Sequence, residues 1–209
     1  MKVLVLGATG GTGREIVREA QAQGHAVAAL VRSPARAQDL SGAHLVAGDA
    51  RNEASLSRAR EGCEGVISAL GTGISPFRRV TLLSTATKAL IAAMRACGTK
   101  RLVCITGMGA GDSRGYGGFL YDRLIQPLLL RKVYEDKDLQ EALVRDSGLE
   151  WVLVRPTVLN DKPGTGRIRT LTNLSGFHGG TIPRRDVAHF LVGQITGNDW
   201  LRQAPLITS

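Results

Sequence analysis

Aromatic side chains make up only 4% of this 209-residue chain, and cysteine is confined to Cys63, Cys97 and Cys104. The cysteines are odd in number and form no CxxC pair, so no disulfide framework is expected, which suits a reducing cytoplasm. Cys104 lies in the apolar run Leu102-Val103-Cys104-Ile105 and reads as a small core residue, not a nucleophile. His25, His44, His178 and His189 are far apart, without metal-ligand spacing, so no metal site is predicted. No apolar run approaches the length of a membrane span, and the N-terminal one is too short for a secretory leader. Acidic residues are in deficit: 21 Arg and 6 Lys face 18 acids, for a net charge of +9. The arginines are scattered, however, and no basic run is interleaved with stacking rings, so nucleic acid is not the expected partner. The charge reads as a solvated surface with a local role toward an anionic cofactor.

Glycine is plentiful, and its first cluster is the most informative. Gly7-Ala8-Thr9-Gly10-Gly11-Thr12-Gly13 follows the apolar run Val3-Leu4-Val5-Leu6 and opens a helix-like stretch to Gln23. Strand, glycine turn and helix start are the parts of a phosphate-binding βα unit. Gly7 permits the tight turn, Gly10 lets backbone approach a pyrophosphate, and Gly13 lets the helix pack close to the strand. The free N–H groups and dipole of the helix start favour an anion there. After the next apolar run, Ala26–Val31, an NAD enzyme places an acid on the ribose 2′-hydroxyl. This chain has Arg32 there, with Arg36 one helical turn further on. A carboxylate would repel a 2′-phosphate, whereas a guanidinium offers it a fork of donors. NADP (NADPH) is the expected cofactor; the alternative is that Arg32 merely ends a strand.

Short apolar runs predict strands at Val3–Leu6, Ala26–Val31, His44–Ala47, Gly65–Leu70, Arg101–Thr106 and Trp151–Arg155. Helix-like segments fall between them at Gly13–Gln23, Ala35–Leu40, Glu53–Glu61, Val80–Cys97 and roughly Leu120–Ser147. Such alternation predicts an α/β fold: a single Rossmann-type doubly wound parallel sheet with helices on both faces. One domain over residues 1–209 is expected, with a small substrate-side extension at about 157–183. A helix from Arg184 or Arg185 and an edge strand at Pro205–Thr208 complete the tail.

Ligands in such sheets bind beyond the carboxyl ends of the strands, so the turns there are the places to look. Asp49 and Ala50 follow the third strand, where Asp49 either accepts from an adenine amino group or simply turns the chain. Leu70, Gly71 and Thr72 form a small-residue turn after the fourth, suited to close passage of a ribose. Thr106 follows the fifth and leads into six glycines between Gly107 and Gly118, either a lid or a flexible connector. Pro156, Thr157 and Val158 follow the sixth.

With these features assembled, the chain resembles an atypical short-chain dehydrogenase/reductase of the biliverdin-IXβ reductase/flavin reductase group, neighbours of the NmrA-like proteins and nucleoside-diphosphate-sugar epimerases. The matching stretches are Gly7–Gly13, Val31-Arg32 to Arg36, Gly48-Asp49, Leu70-Gly71-Thr72, Asp146–Leu149, Arg155-Pro156-Thr157 and Arg184–Phe190. The resemblance implies an NADPH-dependent reductase with a shallow substrate site over the nicotinamide. It implies that Thr9 through Thr12 hold the pyrophosphate, Arg32 and Arg36 the 2′-phosphate, Asp49 and Ala50 the adenine, and Leu70 to Thr72 the ribose. Thr106 and Pro156 to Val158 would flank the nicotinamide, which makes Thr106 and Thr157 the candidate catalytic residues. Two positions depart from that group: Gly107 stands in the region where it carries a Ser, and Thr157 where it carries a His after the Pro.

A Tyr followed four residues later by Lys is the usual acid of carbonyl-reducing relatives. Here the residues four after Tyr116, Tyr121 and Tyr134 are Leu120, Ile125 and Asp138, and Lys137 falls one position short. Hydride transfer to a flat, electron-poor substrate such as a flavin, quinone or tetrapyrrole is therefore the expected activity, since such a ring needs little acid help. The alternative is an NmrA-like NADP sensor without turnover. The expected partner is a small-molecule substrate, with no nucleic acid and no membrane, and the protein a monomer or small homo-oligomer.

Overall fold

Val3, Leu4, Val5 and Leu6 are all buried, at 1% exposure or less, which demands cover on both faces of the strand they form. That strand, β1 (Lys2–Leu6), is central in the computed structural model, which describes residues 1–73, 79–119 and 121–209, the Arg36 side chain excepted. Parallel neighbours flank it: β2 (Ala26–Val31) with β3 (His44–Ala47) beyond, and β4 (Gly65–Ser68) with β5 (Arg101–Ile105) and β6 (Glu150–Pro156) beyond. The eight-stranded sheet continues from β6 through the parallel β10 (Leu206–Thr208) to the antiparallel β8 (Arg169–Leu171). A separate parallel pair joins β7 (Val158–Asn160) to β9 (Thr181–Pro183). Strand order reverses between β1 and β4, which creates the crevice in which this doubly wound fold takes ligands.

Alternate residues of β1 divide between two cores, as the period of a strand requires. Val3 and Val5 pack with Ile16 and Val17 of α1 (Gly11–Ala22) and Val187 and Leu191 of α5 (Arg184–Gly193). Leu4 and Leu6 face Leu56 of α2 (Glu53–Ala59), Leu90 and Met94 of α3 (Leu82–Ala96), and Val144 of α4 (Arg131–Arg145). Among the described residues no helix is long and apolar enough to cross a membrane.

Three expectations need correction. Ala35–Leu40 is not a helix but a single 3₁₀ turn, Pro34–Arg36; so short a segment offers too few bonds to offset helix nucleation. The stretch expected as one helix is two: a π-type helix, Tyr121–Leu130, runs into α4. Pro127 sits inside it, and a proline has no N–H for the regular α pattern. Leu120 lies outside the described residues. The third concerns β10, which is not an edge strand, because β8, absent from the expected strands, pairs antiparallel along its far side.

α3 receives its N-terminal cap from another helix. The Asp136 carboxylate of α4, 1% exposed, accepts from the N–H of Leu83 at 2.8 Å and of Ser84 at 3.2 Å. That fastens α4 to the start of α3 and fixes the position of its next residue, Lys137.

Candidate functional site

The glycine turn closes with the Gly10 N–H donating to Gly7 O at 3.0 Å. Gly7 has φ +77°, and a Cβ there would lie 2.4 Å from Ala69 O; one on Gly13 would lie 2.0 Å from Gly7 O. Turn, β4 end and α1 are thus in contact backbone to backbone, which only glycine permits. Gly10 is different: a Cβ there would meet only Gly7 O, at 3.3 Å, and the remaining space is open. α1 starts without a side-chain cap and without an acid in its first turn, so its leading N–H groups are left to an external acceptor. Thr9 is exposed and Thr12 half-buried beside them.

Arg32 is exposed at the end of β2 and has no acidic partner within ion-pair distance among the described residues. The Arg36 side chain lies outside the described residues. Asp49 is held by Arg51, whose Nη2 donates to Oδ2 at 2.5 Å and whose backbone N–H donates to Oδ1 at 2.8 Å. These bonds, with the Arg32 charge nearby, hold the Asp49 carboxyl down at about 2. Asp49 and Ala50 are half-buried, as is Leu70, whereas Gly71 is exposed. The Thr72 hydroxyl is buried with no hydrogen-bond partner among the described residues. Open space at Gly10, an uncapped helix start, an unpaired cation at the ribose position and an orphan hydroxyl together fit a dinucleotide phosphate.

The other half of the crevice is built on a buried ion pair. Arg155, at the end of β6, donates from Nε to Glu141 Oε1 at 2.9 Å and from Nη2 to Oε2 at 2.5 Å, both side chains being 3% exposed. Its Nη1 pairs with Asp112, and the Thr106 hydroxyl donates to Glu141 Oε1 at 2.7 Å. Lys137 donates to the Thr106 carbonyl and lies 5.0 Å from the Tyr134 ring centre. A Cβ on Gly107 would lie 2.9 Å from Lys137 Nζ, so the glycine that departs from the resembled group leaves room for this amine. Burial, opposed by Glu141, lowers the Lys137 ammonium to about 8. The Tyr134 hydroxyl donates to Met108 O at 2.7 Å and meets the Tyr121 hydroxyl at 2.7 Å; burial pushes its phenol upward.

The threonines expected to do chemistry use their hydroxyls inside the protein. Thr106 is bonded to Glu141, and Thr157, 3% exposed, meets Thr208 Oγ1 at 3.1 Å across the β6–β10 seam. Pro156 is buried in the same strand end, and Val158 is 51% exposed at the start of β7. The start of the glycine-rich loop is pinned: Gly109 O accepts from Gln126 at 2.9 Å and the Gly111 N–H donates to Asp138 at 2.8 Å. Glu141 was not singled out by the sequence pattern, and Lys137 and Arg155 were noted there without a role in the site. The available signal was the i, i+4 placement of Lys137 and Glu141 on one helix face, and an arginine closing a wholly apolar strand.

Lys137 gives a pH signature. Its folded pKa, about 8, lies below the ordinary 10.5, so the cost of burying its charge applies below pH ~8 and is relieved as pH rises toward ~10.5. Relative to Lys137→Met, the wild type should therefore gain stability between about pH 8 and 10.5. Urea denaturation at both ends of that window measures the difference; a gap that stays constant contradicts the burial.

Comparison with known proteins adds identity to this geometry. Residues 7–198 match the model of a family described as NAD(P)H-binding. The uncharacterized sugar epimerase YhfK of Bacillus subtilis strain 168 is 31% identical over 202 residues, 93% of this chain and 88% of that protein. The NAD(P)H azoreductase of Xenophilus azovorans is 30% identical over 156 residues, 74% of this chain and 47% of that protein. ChuY of Escherichia coli O157:H7, described as an anaerobillin reductase, has the same fold, with a TM-score of 0.83 at 23% identity over 100% of this chain and 97% of that one. The glycine turn, the strand order and a family match across nearly the whole length agree, and the chain belongs to the NAD(P)H-binding family of Rossmann-fold proteins.

Proposed function

We propose that the protein is an NADPH-dependent reductase of flat, electron-poor rings: flavins, quinones or tetrapyrroles. The observation that carries this reading is the Tyr134 hydroxyl, which is committed to Met108 O and Tyr121. The Tyr134 phenol, the one beside Lys137, is therefore not on hand as the acid that carbonyl reduction uses, whereas a conjugated ring delocalises the incoming electron pair and takes its proton from water. Two of the similar proteins are themselves named reductases.

In this reading the backbone from Thr9 to Thr12 binds the pyrophosphate, Arg32 with Arg36 the 2′-phosphate, Asp49 and Ala50 the adenine, and Leu70 to Thr72 the ribose. Thr106 and Pro156 to Val158 border the nicotinamide through their backbone, while Glu141 and Arg155 fix the two strand ends that carry them. Bound NADPH supplies the hydride.

Steady-state NADPH oxidation against a panel of flavins, quinones and tetrapyrroles tests the proposal, with turnover expected above the rate without enzyme. Tight NADPH binding with no turnover on any acceptor would instead identify a sensor of the NADP pool. The cofactor preference is tested separately. Arg32→Ala removes charge-assisted bonds and should weaken NADPH roughly tenfold or more while leaving NADH unchanged. Equal weakening of both would make Arg32 structural.

A further inference from the structure

Arg184 is the first residue of α5, yet its side chain lies against the first residue of α1. A Cβ on Gly11 would come within 2.9 Å of Arg184 Nε and 3.1 Å of its Cδ. Gly11 is not among the glycines with positive φ, so its backbone is open to any residue. The glycine leaves room for the flexible end of the arginine, which occupies the space a Cβ would take.

The guanidinium is incompletely used by the protein. Nη1 donates to Asp161 Oδ1 at 2.7 Å, and Nε and Nη2 have no acceptor among the described residues. Asp161 is 86% exposed, against 26% for the Arg184 side chain, and an ion pair to so exposed a carboxylate contributes little to stability. Stability is thus a poor reason to hold a guanidinium beside Gly11. The segment beyond Asp161 is also fastened to α5, because Asp186 accepts from the Thr165 N–H at 2.9 Å and its hydroxyl at 2.8 Å. The backbones carrying Arg184 and Asp161 are thereby held near each other. Beside this guanidinium α1 presents uncapped N–H groups and no acid in its first turn.

We propose that Arg184 is a pyrophosphate-binding residue, adding a guanidinium from α5 to the backbone donors of the Gly7–Gly13 turn, with Asp161 orienting it. The proposal rests on the dinucleotide reading above and assigns a charged contact that the glycine motif does not contain. A pyrophosphate has two charged groups to neutralise, and a planar fork of donors matches its oxygens.

The test is ligand fingerprinting by calorimetric titration with NADP⁺, NAD⁺ and 2′-AMP, the last having the 2′-phosphate but no pyrophosphate. Arg184→Gln should weaken NADP⁺ and NAD⁺ by the same factor, about tenfold or more, and leave 2′-AMP unchanged. Arg184→Lys should recover part of the loss, and Asp161→Asn should stay within about threefold of wild type because the guanidinium remains. Matched thermal melting curves verify that the variants are folded. Wild-type affinity retained by Arg184→Gln would overturn the proposal while leaving the dinucleotide reading intact. Equal losses in Arg184→Gln and Asp161→Asn would show a strut, and loss of 2′-AMP as well would show a distorted site; either result overturns it. A wild-type protein that binds none of the three ligands would overturn both readings.

Discussion

Gly13→Ala should cost the protein about 3 kcal/mol or more in unfolding free energy, whereas Gly10→Val should leave it folded and unable to bind a dinucleotide. The two residues stand three apart in one motif and meet different surroundings. A Cβ on Gly13 would lie 2.0 Å from Gly7 O and 2.8 Å from Ala8 Cα. Those atoms belong to the turn itself, so relief requires pulling α1 away from β1, and with it the packing of Ile16 and Val17 against the sheet. Gly10 has φ −76° and ψ 163°, a conformation that valine adopts readily, and its Cβ would press lightly on Gly7 O, at 3.3 Å, with open space beyond. Stability should change within about 1 kcal/mol, while the branched side chain takes the volume a pyrophosphate needs and lowers affinity about a hundredfold or more. Urea denaturation and dinucleotide titration on both variants separate the effects. Normal binding by Gly10→Val would falsify the assignment of the phosphate site.

Glu141→Ala is expected to destabilise the fold by about 3–5 kcal/mol, because it leaves the Arg155 guanidinium buried without its main counter-charge. Glu141 accepts two bonds from Arg155 and one from Thr106, so the loss reaches the ends of both β5 and β6. Asp112, the other partner of Arg155, has a side chain 81% exposed and offers weak compensation. Replacing both charges, Glu141→Leu with Arg155→Met, should recover much of the loss, since an apolar pair of similar volume avoids the desolvation of two ions. Chemical denaturation of the single and double variants gives the coupling between them. A cost below about 1 kcal/mol for Glu141→Ala would mean that water reaches the pair.

How far the sequence could be read depended on the distance over which each signal acts. The glycine turn is written in seven adjacent residues, and Arg32 is placed by the end of the next strand, so the geometry of both was legible. The β2 and β3 boundaries were legible too, because continuous apolar runs flanked by turn residues need no partner to be recognised. Contacts made across the fold left no local trace. Nothing near Leu83 says that Asp136 will cap its helix, and nothing near Thr157 says that Thr208 will take its hydroxyl. Gly11 is the clearest case. Its position suggests a ligand contact, yet the atoms beside it belong to Arg184, which only tertiary packing brings there. The π-type helix was hidden for another reason: Pro127 marks a break in a helical pattern without saying whether the chain ends there or widens.

The position of β10 between β6 and β8 bears on the order in which the molecule can be assembled. Its register pairs Leu206 with Arg155 and Ile207 with Pro156, residues about fifty positions apart along the chain. A nascent chain that has already paired β1 to β6 thus carries an unfilled strand slot, with Val152 and Val154 beside it, until β10 has been synthesised. Long-separated parallel pairings form slowly, and an open strand edge attracts other chains. In the interval between the synthesis of β6 and of β10 this edge is open to pairing with other chains.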